Sequence, residues 1–81
     1  MRESTVLMYS RRRCGLCDEA RGAIEEVRAR LPRAFRLEEV FIDGDDVLEA
    51  AYGLSVPVVL VDGAIAFEYR VDPEVLARMV S

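Results

Sequence analysis

The chain has 81 residues, of which 52% are hydrophobic and 32% charged, and its formal net charge is −4. This size and composition predict one compact domain over residues 1–81 and argue against a disordered chain. The acidic balance argues against nucleic acid as a general partner, and apolar runs such as residues 56–61 fall far short of the roughly 20 residues that cross a membrane.

The N-terminal residues contain no apolar signal-peptide segment, so we expect a cytoplasmic protein. Its two cysteines cannot build a framework of several disulfides, so we expect the hydrophobic core to stabilise the fold. In a reducing compartment, a close pair of cysteines is more often catalytic or metal-binding than structural.

The first half of the chain predicts a strand, a helix and a second strand. Residues 5–9 are β-branched, apolar and aromatic, as in a strand. Alternating spacings of four and three then predict a helix that begins near Gly15 and ends before Pro32; its apolar face consists of Ala20, Ile24, Val27 and Leu31. Residues 35–42 predict the second strand. Their apolar alternation changes phase, which we interpret as a bulge near residues 38–39 or a late strand start.

The second half predicts a short helix, a hairpin and a final helix. Residues 43–46 (Asp-Gly-Asp-Asp) are typical of a turn that ends in a helix N-cap. The short helix spans residues 47–52, and Gly53 suits the positive φ that often follows a helix. We expect this helix to pack through Leu48, Ala51 and Tyr52.

Asp-Gly at 62–63, between apolar runs at 58–61 and 64–69, is a strong hairpin signal. Asp-Pro-Glu at 72–74 suits the start of the last helix, because aspartate can cap it and proline is favoured at its first position. The apolar face of that helix comprises Val75, Leu76, Met79 and Val80.

The predicted order of elements is therefore β-α-β-α-β-β-α, an α/β fold. Because a helix joins the first two strands, they should be parallel with a right-handed crossover. The last two strands form an antiparallel hairpin. A four-stranded mixed sheet flanked by helices follows.

The motif Cys-Gly-Leu-Cys at residues 14–17 lies between the first strand and the first helix. At a helix N-terminus, unpaired backbone N–H groups favour a thiolate, so we expect the pKa of the Cys14 thiol to fall below the usual value of about 8.5. Cys17 lies about one turn further on and should be more buried. This arrangement predicts that Cys14 attacks a disulfide and that Cys17 resolves the mixed disulfide.

Three other interpretations of the cysteine pair stay open. A zinc site would need two chains, because the sequence has no histidine and no third cysteine. The pair could also be a purely structural disulfide, or two unreactive thiols in a degenerate site. We expect a monomer that binds no metal or organic cofactor.

A larger set of motifs resembles a known family. A first strand ending in Tyr9 and Ser10, the cysteine motif at a helix start, Gly-Leu-Ser-Val-Pro at 53–57, a hairpin and a final helix follow one another. This combination is similar to the glutaredoxin branch of the thioredoxin superfamily, in particular to the short bacterial glutaredoxin-like proteins. The resemblance covers nearly the whole chain and implies the thioredoxin fold.

The resemblance also implies roles for four further residues. Pro57 would be a cis-proline beside the cysteines, and the Val56 backbone would pair with the backbone of a substrate. Arg11 matches a basic residue that holds a carboxylate of glutathione, which is thereby implied as a co-substrate; arginine binds carboxylates bidentately. Asp72 matches an acidic residue of the same site. A solvated loop for Arg11 and a helix cap for Asp72 are the alternatives.

Two departures from the glutaredoxin pattern leave two functional hypotheses. Gly15 and Leu16 replace a proline and an aromatic residue, and residues 69–72 (Tyr-Arg-Val-Asp) lack the usual Gly-Gly turn. The first hypothesis is a thiol–disulfide oxidoreductase that acts on protein disulfides or glutathione mixed disulfides, with glutathione or a thioredoxin-reductase-type protein as electron donor. The second is a non-catalytic thioredoxin-fold adaptor.

Overall fold

The computed structural model describes residues 3–81. Within that part of the chain, four strands and three helices follow the predicted order: β1 (Ser4–Ser10), α1 (Gly15–Arg30), β2 (Phe35–Phe41), α2 (Asp46–Tyr52), β3 (Val58–Val61), β4 (Ala64–Glu68) and α3 (Pro73–Val80). None of these helices is long and apolar enough to cross a membrane.

The strands form one mixed sheet in the order β2-β1-β3-β4. β1 is parallel to β2 and antiparallel to β3, with Tyr9 opposite Val58. The carboxyl end of β1 and the amino end of β3 therefore lie at the same end of the sheet. The loop that carries the cysteines and the loop that carries Pro57 start there, which brings two distant parts of the sequence together.

The core lies between one face of the sheet and the helices α1 and α3. Its buried apolar residues are Val6, Met8, Ala20, Ile24, Val27, Phe35, Val59, Val61, Leu76 and Val80. Alternation along β1 directs Tyr9 to the opposite face from Met8. There the Tyr9 ring stacks on Tyr52 of α2, with the ring centroids 4.5 Å apart. The sheet is thus covered by helices on both faces, as predicted.

The change of phase in β2 has a different cause from the predicted bulge. β1 and β2 pair without interruption from Ser4 and Phe35 to Ser10 and Phe41. Glu39 simply occupies a position on the core-facing side, where it forms an ion pair with Arg21 of α1. The predictions of a bulge and of a late strand start are therefore both wrong. The sheet's register shift lies instead between β3 and β4, where Val59 and Leu60 pair with Phe67 and Ile65.

Two expectations for α2 are also corrected. Ala51 is exposed, and the helix contributes no buried residue, although Leu48 and Tyr52 are half-buried. Gly53 has a φ of −54°, so a left-handed conformation is not the reason for glycine there. A Cβ at this position would lie 2.5 Å from the Glu49 carbonyl oxygen and 3.1 Å from Nη2 of Arg11. Glycine is needed because the chain passes too close to the Glu49 backbone oxygen, whereas the tip of the flexible Arg11 side chain could shift.

Candidate functional site

Cys14 and Cys17 form a disulfide at the start of α1, with their Cα atoms 5.2 Å apart. Cys14 is the N-cap residue, and its sulfur accepts a hydrogen bond from the backbone N–H of Cys17 at 3.1 Å. Cys17 is fully buried, whereas Cys14 is half-buried. The two sulfurs therefore differ in access as predicted. The lowered pKa of the Cys14 thiol stays a prediction, because neither sulfur titrates in a disulfide.

Contacts with two other segments hold the loop before Cys14 in place. The backbone N–H of Arg12 donates to the Asp43 carboxylate at 3.0 Å, and Arg13 has a left-handed φ of 56°. A non-glycine residue in this region is uncommon and persists where its surroundings fix it. Asp43, interpreted from sequence only as a turn residue, thus also positions the cysteine loop, which we define as residues 11–14.

The proline loop, residues 53–57, lies at the same end of the sheet. The Val56–Pro57 peptide bond is cis, as the resemblance implied, and Pro57 is buried. Because Val58 pairs with Tyr9, Pro57 lies across from Ser10. The Val56 backbone forms no backbone hydrogen bond with the rest of residues 3–81. Its N–H and carbonyl can therefore pair with another chain, although that role stays a prediction.

The guanidinium of Arg11 is directed at α2 and the proline loop. Its Nη1 lies 3.3 Å from Oε1 of Glu49, and its Nη2 donates to the carbonyl oxygen of Gly53 at 3.4 Å. Glu49 also accepts from the backbone N–H of Gly44 at 3.1 Å. The contact to Gly53 joins the cysteine loop to the proline loop. Binding of a substrate carboxylate by Arg11 stays a prediction, and it would require this side chain to leave Glu49.

Asp72 forms the helix cap that was one of its two interpretations. Its carboxylate accepts from the backbone N–H groups of Glu74 and Val75 at 2.9 and 3.2 Å. The residue is exposed at the start of α3. A contact between Asp72 and a substrate stays a prediction.

From sequence Tyr69 could flank a site, although packing in the core or against the sheet was the preferred interpretation; the structure leaves its side chain 48% exposed. It has a left-handed φ of 69°, and its backbone N–H donates to the carbonyl oxygen of Pro57 at 2.9 Å. Its phenol donates to the carbonyl oxygen of Leu54, also at 2.9 Å. Tyr69 therefore fastens the β4–α3 connection to both ends of the proline loop. The one available signal was the missing Gly-Gly turn, which marked this position as unusual.

A part-buried polar cluster adjoins the site between α1 and β2. Two nitrogens of Arg21 contact the Glu39 carboxylate, and the fully buried Ser10 hydroxyl donates to it at 2.7 Å. The bond from Arg21 lowers the pKa of Glu39, with a smaller contribution from Ser10, while partial burial opposes them. The same ion pair raises the pKa of Arg21. Arg21 is one helical turn beyond Cys17, so the cluster anchors the first turns of α1 to the sheet.

Two concave regions lie at different ends of the molecule. A cleft of about 150 Å³ lies between α1 and the β4–α3 connection, lined by Glu19, Ala20, Tyr69, Arg70 and Val71. A larger groove of about 760 Å³ lies at the opposite end of the molecule, near Leu31, Ala34 and Met79. The cysteine pair is therefore not beside the larger groove.

Comparisons with known proteins agree with this geometry. The model of the glutaredoxin-like domain family (DUF836) matches residues 5–81. The target protein XcR50 from X. campestris is 35% identical, with 91% of this chain and 92% of that chain covered and a TM-score of 0.75. Protein Ne2328 from Nitrosomonas europaea is 25% identical over 100% and 95% of the two chains, with a TM-score of 0.82. A comparison with curated proteins finds no match.

More distant structures define the fold alone. Oxidised mitochondrial thioredoxin 3 from Saccharomyces cerevisiae is 15% identical, with a TM-score of 0.66 over 99% of this chain and 78% of that chain. Together with the element order, the sheet topology and the disulfide at the start of α1, these matches show a thioredoxin fold with features of a redox protein. The chain belongs to the glutaredoxin-like family of the thioredoxin superfamily.

Proposed function

We propose that this protein is a thiol–disulfide oxidoreductase in which Cys14 attacks and Cys17 resolves. The observation that carries the proposal is the disulfide between an accessible N-cap cysteine and a buried partner one turn later. Attack requires an approach to sulfur from outside, which Cys14 allows and Cys17 does not. Resolution requires a second sulfur within bonding distance, which the observed disulfide provides.

The reaction balances as follows. In the reduced protein, the Cys14 thiolate attacks one sulfur of a substrate disulfide, forms a mixed disulfide and releases the other substrate sulfur as a thiolate, which takes up a proton. The Cys17 thiolate then attacks Cys14 and releases the second substrate thiol. Two electrons pass to the substrate, and the protein is left with the Cys14–Cys17 disulfide. Two glutathione molecules or one protein dithiol can return it to the reduced state.

Backbone groups at the start of α1 support the first step. The backbone N–H of Cys17 donates a hydrogen bond to the Cys14 sulfur at 3.1 Å. Such a donor stabilises a thiolate more than a neutral thiol. Val56 and Pro57 provide the neighbouring backbone against which an extended substrate segment would align. These residues suffice for disulfide exchange without a metal or an organic cofactor.

Turnover with two electron donors tests the proposal. Reduction of bis(2-hydroxyethyl) disulfide is followed with NADPH and either glutathione plus glutathione reductase or thioredoxin reductase. We expect turnover with at least one donor, and we expect Cys14→Ser to abolish it. A variant on the hairpin away from the site, Ile65→Gln, serves as the control and should keep full activity.

The same assay separates the proposal from the adaptor hypothesis. A non-catalytic module requires no thiol chemistry, so Cys14→Ser would leave its binding behaviour unchanged. Absence of turnover with both donors, together with failure of the reduced protein to form an internal disulfide under mild oxidation, would contradict the proposed function.

A further inference from the structure

The surface around the disulfide carries two exposed apolar side chains that the proposed chemistry does not use. Leu54 is 93% exposed and Tyr69 48% exposed. Single exposed apolar residues are ordinary on protein surfaces. These two differ because the Tyr69 phenol donates to the Leu54 carbonyl oxygen, and the Tyr69 N–H donates to the carbonyl oxygen of Pro57. Tyr69 is thereby fixed to the proline loop, next to the backbone of Leu54.

This pair, which we call the apolar shelf (Leu54 and Tyr69), adjoins a backbone segment with open hydrogen-bonding positions. Val56 lies two residues after Leu54, and its backbone has no backbone partner within residues 3–81. An extended chain that pairs with Val56 would place alternate side chains toward the neighbouring surface. A fixed apolar surface beside a free backbone edge suits a polypeptide better than a small polar molecule.

The two side chains that the resemblance assigned to glutathione are already engaged within the protein. Arg11 contacts Glu49 and Gly53, and Asp72 caps α3. The cleft lined by Tyr69 and Arg70 measures about 150 Å³, which is less than the roughly 300–1,000 Å³ of ordinary small-molecule pockets. A carboxylate of glutathione would therefore have to displace Glu49 before it could bind the Arg11 guanidinium.

The cysteine loop contributes charge to the same surface. Arg12 and Arg13 are exposed and form no ion pair among the described residues. In a chain of net charge −4, two unpaired cations directly before Cys14 make this part of the surface locally basic. Such a surface attracts acidic groups and repels basic ones.

We propose that the substrate is a disulfide within a polypeptide whose cysteine is flanked by apolar and acidic residues, and that the apolar shelf binds the apolar flank. This inference rests on the proposed function and names its substrate class. Leu54 and Tyr69 determine specificity and take no part in the exchange of sulfur bonds.

Two synthetic peptides test the inference. Each carries one internal disulfide, and they differ only in the residues beside one cysteine, which are leucine and glutamate in the first and serine and glycine in the second. The fully reduced protein is mixed with each peptide or with glutathione disulfide, and formation of the Cys14–Cys17 disulfide is timed by acid quench and mass spectrometry. Each rate is divided by the rate of dithiothreitol with the same disulfide, which removes differences in intrinsic reactivity.

We expect the leucine–glutamate peptide to react about tenfold faster than the other two disulfides on this scale, as burial of one leucine on the shelf would give. Leu54→Gln and Tyr69→Ala should remove most of that preference. Tyr69→Phe, which keeps the ring and loses its anchor, should remove part of it. The control Ile65→Gln changes an equally apolar, 57% exposed side chain near the hairpin turn and should keep the preference.

Several results would overturn the inference while leaving the proposed function intact. One is equal rates with the two peptides, and another is fastest oxidation by glutathione disulfide. A third is an equal loss of rate with all three disulfides in the Leu54→Gln variant. A Cys14–Cys14 dimer as the main product would identify a second copy of the chain as the occupant and would also overturn it. If none of the disulfides oxidises the wild-type cysteine pair, the proposed function itself fails.

Discussion

The helices α1 and α2 both border the candidate site, but they are held in different ways. α1 buries Cys17, Ala20, Ile24 and Val27, whereas α2 buries no residue. Contacts at α2 are the half-exposed Arg11–Glu49 ion pair and the stacking of Tyr52 on Tyr9. Apolar packing therefore fixes the helix that carries the disulfide. An ion pair, an aromatic stack and half-buried side chains attach the helix that leads into the proline loop.

The largest expected effect on stability concerns a core residue of α1. Ile24 is fully buried in the core, so Ile24→Ala should lower the free energy of unfolding by about 3 kcal/mol through lost burial and a cavity. The matched change on α2, Val47→Ala, removes a 76% exposed side chain and should alter stability by less than about 0.5 kcal/mol. Urea denaturation measures both. Similar losses in the two variants would show that α1 and α2 are held alike.

The polar cluster beneath α1 should have an intermediate effect. Glu39→Gln removes the charge that pairs with Arg21, and we expect a loss of about 1 kcal/mol at neutral pH, because a charge-assisted bond at a part-buried site is weakened.

That loss should depend on pH in a defined direction. The pKa of Glu39 is lowered in the folded protein from its usual value of 4.5. Its contribution is therefore complete above that value and declines as the pH falls through the lower pKa of the folded state. Urea denaturation from neutral pH down into the acid range should show the wild type converging on Glu39→Gln. If the difference in free energy of unfolding between the two proteins stayed constant over this range, the stabilising role of the ion pair would be contradicted.

The smallest expected effect on stability comes from a substitution in α2. Glu49→Gln breaks a surface pair whose side chains are 35% and 38% exposed, and such pairs contribute about 0.5 kcal/mol or less. Its effect on specificity should be larger than its effect on stability. Arg11 is released, so oxidation of the reduced protein by glutathione disulfide should accelerate about threefold, since a guanidinium then binds a substrate carboxylate. An unchanged rate would mean that Glu49 does not restrain Arg11.

The fold was accessible to sequence reasoning where its determinants are local. The helix caps at Asp45 and Asp72 form between residues two or three apart, and the Asp62-Gly63 turn is a dipeptide whose φ values are 51° and 90°. The position of the cysteine motif between a strand and a helix was equally readable. Each of these features depends on a few adjacent residues, so the pattern itself contains the physical cause.

The misread features depend on partners far apart in the sequence. Glu39 was interpreted as part of a bulge because its partner Arg21 is 18 residues away and no periodicity links them. Gly53 is a local exception: it was assigned a positive φ from a general helix-end preference, whereas glycine is required by the close approach to the Glu49 carbonyl oxygen four residues earlier. Packing was the preferred interpretation of Tyr69 because its bond to Leu54, 15 residues away, forms only once the two loops lie together.

The central claim, that Cys14 attacks and Cys17 resolves, is tested most directly by trapping each cysteine alone. Reduced Cys17→Ser and Cys14→Ser are exposed to the same excess of bis(2-hydroxyethyl) disulfide, and adducts are quantified by mass spectrometry over time. We predict that Cys17→Ser rapidly accumulates a stable one-to-one mixed disulfide on Cys14, while Cys14→Ser reacts at least about tenfold more slowly because its remaining sulfur is buried. Equal rates in the two variants, or faster reaction of Cys17, would contradict the assignment.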